Sequence, residues 1–280
     1  MMKKVLALAA FLFAGGLLTQ AQDLPQPSPA STVNQKVGLT DVKVEYSRPG
    51  VKGRKIFGDL VPFDKVWRTG ANACTKITFS TDITFAGKPV KSGTYALFTV
   101  PGKKSWEVVL NTNTKQWGAG QYDPAKNVAS VTVEATKSDF RESFTIDIAD
   151  LKDESASVQI AWENTSVKVP FEVPTRKMAL ANINRKLKEI ENPANTYFAS
   201  ARYYLSIGEN KKGLDYAIKG AKDSNRYWVI RVLAEAYAAN NDYSNAIKEA
   251  KRSLELAKKA GNQDYVKINE KNIKKWSKAI

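Results

Sequence analysis

Residues Val167 to Ile190 read VKVPFEVPTRKMALANINRKLKEI, and the two halves of this stretch obey different periods. As far as Val173 the apolar residues Val167, Val169, Phe171 and Val173 occupy every second position, the pattern of a strand half buried against a core. After Pro174 the apolar set becomes Met178, Leu180, Ile183, Leu187 and Ile190, at helical spacing, with Thr175 expected as the N-cap. The chain therefore changes class at this point. We expect two domains: an antiparallel β-sandwich over residues 31–174 and an all-α helical bundle over residues 175–280.

Upstream of the switch, Val42, Val44 and Tyr46 alternate with Lys43, Glu45 and Ser47, and Ile77 and Phe79 alternate with Lys76, Thr78 and Ser80. Ile83 and Phe85 precede a turn at Ala86–Pro89 that leads to Val90. Tyr95 to Val100 is a continuous apolar run, expected to be buried on both faces. Trp106, Val108 and Leu110 form the next strand, and a polar loop runs from Asn111 to Lys126. Val131 and Val133, then Phe144, Ile146 and Ile148, then Val158, Ile160 and Trp162 predict three more strands. Asn164-Thr165 is expected to turn the last of these into a hairpin with Val167–Val173. Short strands at this spacing, with no helix between them, point to an antiparallel sandwich or barrel, of which we take the sandwich.

The first 21 residues have the form of a secretory signal. Lys3 and Lys4 precede an apolar run, Val5 to Leu18, that is too short for a bilayer span, and Thr19-Gln20-Ala21 supplies a cleavage site after Ala21. Residues 22–30 form a leader whose Pro25, Pro27 and Pro29 forbid a helix. The expectation is an exported protein, in the periplasm or outside the cell, with no membrane span in the mature chain. Its 280 residues contain no histidine and one cysteine, Cys74. Histidine-based triads, dyads and zinc sites are thereby excluded, and no cofactor or metal is expected. Cys74 shares parity with Lys76 and reads as a small filler residue or, alternatively, a reachable thiol.

The net charge of +15 is unevenly placed: residues 176–280 hold 22 Lys+Arg against 11 Asp+Glu, a net of +11, whereas residues 22–175 carry only +2. Export argues against nucleic acid as the partner of this basic region, leaving anionic envelope material, an acidic partner, or a solvated helical surface.

The helical region contains a repeat with an offset of 33 residues that aligns Ala201 with Ala234, Tyr204 with Tyr237, Gly208 with Asn241, Gly213 with Ala246, and Ala217 with Ala250. It resembles tetratricopeptide repeats, with units at about 193–225 and 226–257. Gly213 and Gly220 stand where alanines are usual, and the closing proline is missing. The resemblance implies a groove lined by Asn195, Phe198, Arg202, Trp228, Arg231 and Glu235, a surface for a protein or peptide partner. The alternative is that Phe198 and Trp228 pack inward.

Between the first strands lies YSRPGVKGRKIFGDLVPFDKVWRTGAN, Tyr46 to Asn72, a long connection rich in cations, aromatic residues, glycine and proline. Arginine recognises carboxylate or phosphate through two parallel bonds, and Tyr or Trp faces suit sugar rings. Tyr46, Arg48, Lys52, Arg54, Trp67, Arg68 and Asn72 are therefore the candidate site for an anionic or carbohydrate ligand. In the competing reading Arg48 and Arg68 pair with internal carboxylates such as Glu163 or Glu45 and only brace the loop. A carboxylate-dependent hydrolase of envelope glycans is the enzymatic rival, with Asp41, Glu45, Asp82, Glu107 and Glu163 available, although their spacing marks no pair. The same run, with VGLTDVKVEYSRP before it and SGTYALFTVPG and IAWENTSVKVPFEV after it, resembles an exported bacterial family named domain of unknown function 2911. That resemblance covers about residues 22–173 and implies an envelope protein of β-sandwich type with no established activity. Where members usually carry an acid after Asn72, this chain has Ala73.

Overall fold

The computed structural model describes residues 25–189 and 194–280. The signal and the start of the leader (residues 1–24), together with Ile190 and the expected Asn192-Pro193 break, lie outside the described residues. The N-terminal domain contributes β1 (Ala30–Val37), β2 (Thr40–Ser47), β3 (Lys76–Phe79), β4 (Ile83–Phe85), β5 (Lys88–Val90), β6 (Gly93–Pro101), β7 (Ser105–Asn111), β8 (Asn127–Ala149) and β9 (Ser155–Glu172). These nine described strands pair in the order β1-β2-β3-β6-β7-β8-β9-β4-β5. Every pairing in that order is antiparallel.

The turn from one layer of the domain to the other is made along β8. Residues Asn127–Glu134 pair with β7, and Ala135–Ala149 pair with β9. The layers then close over one core, where Phe79 of β3 meets Phe171 of β9 with ring centroids 5.7 Å apart. Tyr46 of β2 likewise packs edge-on against Phe144 of β8 at 5.8 Å. Val42, Val44, Ile77, Phe85, Trp106, Val108, Phe144, Ile160, Trp162 and Val169 are all buried in this core, as their alternation requires. Tyr95–Phe98 is buried on both faces, because Ala96 and Phe98 form a second, smaller cluster with Cys74 and Val109. Cys74 is therefore a buried filler, its thiol 3.5 Å from the Thr114 carbonyl, and not a reachable group.

Two sequence expectations change. Val131–Val133 and Phe144–Ile148 belong to one 23-residue strand, and Val158–Trp162 and Val167–Phe171 belong to one 18-residue strand. The hairpin expected at Asn164-Thr165 does not form. Both halves of β9 pair with β8 instead, and the register shifts between Lys137 and Thr145 absorb the extra residues as bulges. Glu163, at φ +53°, marks the irregularity on the β9 side.

The second domain comprises α1 (Thr175–Glu189), α2 (Ala194–Ser206), α3 (Asn210–Ala221), α4 (Tyr227–Ala239), α5 (Tyr243–Lys259) and α6 (Gln263–Trp276). The 33-residue correspondence maps α2–α3 onto α4–α5. Ala201, Ala234, Ala246 and Ala250 are fully buried where the helices cross, and Gly208 and Asn241 occupy the equivalent turns with φ +76° and +62°. Thr175 does not cap α1 in the expected way. Its hydroxyl donates to the Asp153 carbonyl at 2.7 Å, while the Glu154 carboxylate accepts from the Arg176 N–H at 3.0 Å, so the loop before β9 holds the start of the helix. Among the described residues, no helix is long and apolar enough to cross a membrane.

Candidate functional site

The Tyr46–Asn72 connection closes one end of the sandwich. Its first limb joins β8 through Val51 N–H to Glu142 O at 2.7 Å and Phe144 N–H to Pro49 O at 2.9 Å. Its second limb joins β6 through reciprocal bonds between Trp67 and Thr99 at 2.7 and 3.0 Å. Between the limbs, Ile56 and Phe57 drop into the core, and Phe57 lies 4.8 Å from the Trp106 ring. The glycines and cations that made the run look like an open site thus frame a hydrophobic plug.

Several predicted ligand residues are spent on that closure. Trp67 is only 9 % exposed, stacks on Trp162 at 5.9 Å and 15°, and donates its indole N–H to Gly70 O. Its ring faces are covered by other rings, so the expectation of a Trp67 face open to a sugar is corrected. Tyr46 is buried and donates its hydroxyl to Ile146 O at 3.2 Å. Arg48 donates to Phe144 O at 3.0 Å and to Thr145 Oγ1 at 2.9 Å, so neutral acceptors hold it rather than the expected Glu163 or Glu45. Arg54 folds back onto Val51 O and Gly50 O at 3.0 and 2.6 Å. Lys52 is exposed, with φ +50° and its backbone N–H on Glu142 Oε1. Asn72 clamps the end of the run, its amide donating to Ser28 O and Ser47 Oγ, both at 3.3 Å.

Arg68 is different. It is half-buried, its Nε is shielded from solvent with no acceptor, and no described carboxylate lies within ion-pair distance of it. Burial lowers its pKa below the ordinary arginine value, although a guanidinium stays charged at any physiological pH. Thr69 beside it is held at φ +56°, costly for a β-branched residue, by Thr75 Oγ1 on its carbonyl at 2.5 Å and by Thr99 Oγ1 at 3.1 Å.

The wall facing Arg68 is the loop after β7. Gly118 lies so close that a Cβ there would be 3.8 Å from Arg68 Nη1. That loop runs antiparallel to residues 72–74, with Trp117 bridging Ala73 and Gln116 O accepting from Cys74 N–H at 3.1 Å. Trp117 is 73 % exposed, and the buried Gln116 has an amide oxygen with no partner. Sequence reasoning missed both residues. The available signal was a lone tryptophan in the polar, glycine-bearing run NTNTKQWGAG, Asn111–Gly120.

On the helical side, the predicted partner residues fall at equivalent positions of α2 and α4. Arg231 pairs with Glu235 in a tight ion pair, and the Arg202 charge acts on the same carboxylate. Burial nonetheless pushes Glu235 up from the ordinary glutamate range, the two arginines only partly opposing it. Arg202 lies over the Phe198 ring at 5.9 Å, and Arg226 over Trp228 at 5.9 Å while also donating to Asn195 Oδ1 at 3.0 Å. Phe198 and Trp228 are partly buried against the α2–α4 core rather than standing free.

Four of the five carboxylates considered for catalysis are tied to neighbours: Asp41 to Lys36 at 2.6 Å, Glu45 to Lys43 at 3.0 Å, Asp82 to Lys91 at 2.8 Å, and Glu107 to the Ser130 hydroxyl. The fifth, Glu163, sits at the β8–β9 irregularity with no other candidate carboxylate among the described residues paired to it. Among the described residues, no group of three or more Cys, Asp or Glu gathers in a metal-ligating cluster. In comparison with known proteins, residues 28–171 match a family profile described as "Protein of unknown function (DUF2911)". No curated protein matches the chain.

Proposed function

The chain belongs to the DUF2911 family of proteins of unknown function, and on that premise we propose that it is an exported binding protein of the cell envelope. In this reading the rim of the sandwich around Arg68 holds an anionic or carbohydrate-like ligand, and the tetratricopeptide-like helices contact a protein partner. One observation carries the rim reading: Arg68 is a half-buried cation with no described carboxylate partner and a shielded, acceptor-less Nε. Leaving a buried donor unpaired costs about 1–3 kcal/mol, so the arrangement gains when an oxyanion completes it. Trp117, the chain neighbour of Gly118 in the facing loop, adds an exposed aromatic ring of the kind that stacks on sugar rings. The rest of the Tyr46–Asn72 run serves as the brace that fixes Arg68, a role supported by the neutral acceptors of Arg48 and Arg54 and by the buried Trp67.

The test is a thermal-shift titration of residues 22–280 with galacturonate, glucose 6-phosphate and glucose, repeated on Arg68→Gln and Trp117→Ala. A charged sugar at a hundred times its Kd stabilises by about 2.7 kcal/mol. We expect that response for one or both acidic sugars, none for glucose, loss in Arg68→Gln and weakening in Trp117→Ala. If Arg68→Gln responds like the parent, or neither acidic sugar shifts the transition, the rim reading is wrong. N-terminal sequencing of the secreted chain checks export separately, with Gln22 expected as the first residue.

A further inference from the structure

Two clefts meet where the domains join. One, of about 600 Å³, is lined by Leu39 of the β1–β2 turn, Asp153, Glu154, Tyr203 and Ile207 among others. The other, of about 440 Å³, runs between α1 and α2 past Ala179, Ile183, Ala199 and Ser200. They share Leu39, Ala179 and Tyr203, so they form a single groove, with Asp153, Glu154 and Arg176 lining one end and a mostly apolar wall, which Lys186 also borders, at the other. Of the six predicted partner residues, this groove takes in only Asn195.

Three features of the groove point to one kind of occupant. Asp153 and Glu154 are exposed and have no described basic group within ion-pair distance, on a chain whose net charge is +15. Burial raises the Tyr203 hydroxyl above its ordinary range, and Glu154 and Asp153 add to the rise while Arg176 opposes it, so the acids face the same wall as this ring. Arg176 lines the same cleft, but its charge is engaged with Glu209 at 2.8 Å. The acidic end is thus an island of negative potential that would attract a cation. Leu39, 37 % exposed, together with Ala179 and Ile183, offers apolar contact next to it. Deeper on the same wall, Ser200 is only 1 % exposed and its hydroxyl has no partner, which leaves a polar demand inside a mostly apolar slot.

We propose that this junction groove binds a short stretch of polypeptide in which a lysine or arginine stands beside an aliphatic residue. The basic side chain meets Asp153 and Glu154, the aliphatic one lies along Leu39 and Ala179, and a backbone amide supplies the hydrogen bond Ser200 lacks. A simple amine or alkyl cation meets only part of this set. Domain junctions are a preferred place for such sites, because two surfaces supply unlike walls.

The measurement is fluorescence anisotropy of a short labelled peptide amide alternating leucine and lysine, titrated with the full mature chain. Control peptides carry glutamate for lysine or serine for leucine, and octylammonium serves as a competitor. The isosteric pair Asp153→Asn with Glu154→Gln keeps the acceptor on the Arg176 N–H, and Ala179→Trp fills the shared part of the groove. Far-UV circular dichroism checks that both variants are folded. We expect the leucine–lysine peptide to bind with an affinity that falls with salt, and to lose about tenfold in the neutralised pair. Binding should be abolished by Ala179→Trp. Equal binding of the glutamate peptide, unchanged affinity in both folded variants, or octylammonium competing as well as unlabelled peptide would each overturn the proposal.

Discussion

Replacing Gly38 with alanine should uncouple the two domains. Gly38 sits at φ +54° in the β1–β2 turn, and a Cβ there would lie 1.8 Å from Thr175 Oγ1, 2.9 Å from Thr175 Cβ and 2.3 Å from the Asp153 carbonyl oxygen. The threonine hydroxyl can rotate away, but only by giving up its 2.7 Å bond to Asp153 O, and the carbonyl is backbone. A left-handed alanine costs about 1–2 kcal/mol, the lost hydrogen bond about 0.5–1.5 kcal/mol, and the overpacking about 1–3 kcal/mol. Restricting the unfolded chain returns about 0.4–1 kcal/mol. The expected net loss is therefore about 1.5–6 kcal/mol, centred on about 4 kcal/mol. Urea unfolding followed by both tryptophan fluorescence and circular dichroism reads this directly, and we expect the two probes to separate as α1 lets go of the sandwich. Gly53→Ala is the control, since Gly53 has φ +71° but nothing within 4 Å of its Cβ position, and it should cost only the backbone term. Thr175→Ala should relieve part of the clash, making the double mutant with Gly38→Ala less damaging than the sum. A loss below about 0.5 kcal/mol in Gly38→Ala, or strict additivity with Thr175→Ala, would refute the three-way contact as the joint.

Other outcomes follow from the same geometry. Gly220→Ala would bring a Cβ to 2.9 Å from the Phe198 backbone nitrogen, where no side-chain movement helps, and should lower stability by about 1–3 kcal/mol in a helix-weighted melt. Trp67→Ala empties the stack on Trp162 and should cost about 3–5 kcal/mol in urea titration, whatever the rim binds. Because Glu235 has a raised pKa in the fold, the native state binds more protons than the unfolded chain just above the ordinary glutamate range. Its contribution is complete below the unfolded pKa and lost as pH rises through the folded one. Stability measured against pH should therefore decline across that window and flatten in Glu235→Gln.

Much of this architecture was legible from periodicity. The alternation at Val42–Tyr46, the two-sided run Tyr95–Phe98 and the switch at Pro174 each report which local face is apolar, and apolar faces are buried wherever they end up. The 33-residue echo of small residues likewise marked the helix crossings, because only glycine or alanine tolerates that approach. Neighbours were not legible. Asn164-Thr165 has turn chemistry, yet β8 offers both halves of β9 a ladder, and long-range pairing outweighs a local turn preference. Trp67 and Arg68 are adjacent in the chain, but one fills the core and the other lies against Gly118, a distinction made by a loop some fifty residues away. Gln116 and Trp117 acquire meaning only once that loop lies against Ala73. Short-range spacing was enough to place the switch from strands to helices at Pro174 and to tell which face of each apolar segment is buried, but not where one strand ends and the next begins. That Arg68 lies half-buried with no described carboxylate partner, and that a groove opens at the junction, depends on contacts with atoms brought from far along the chain, which no local pattern reports.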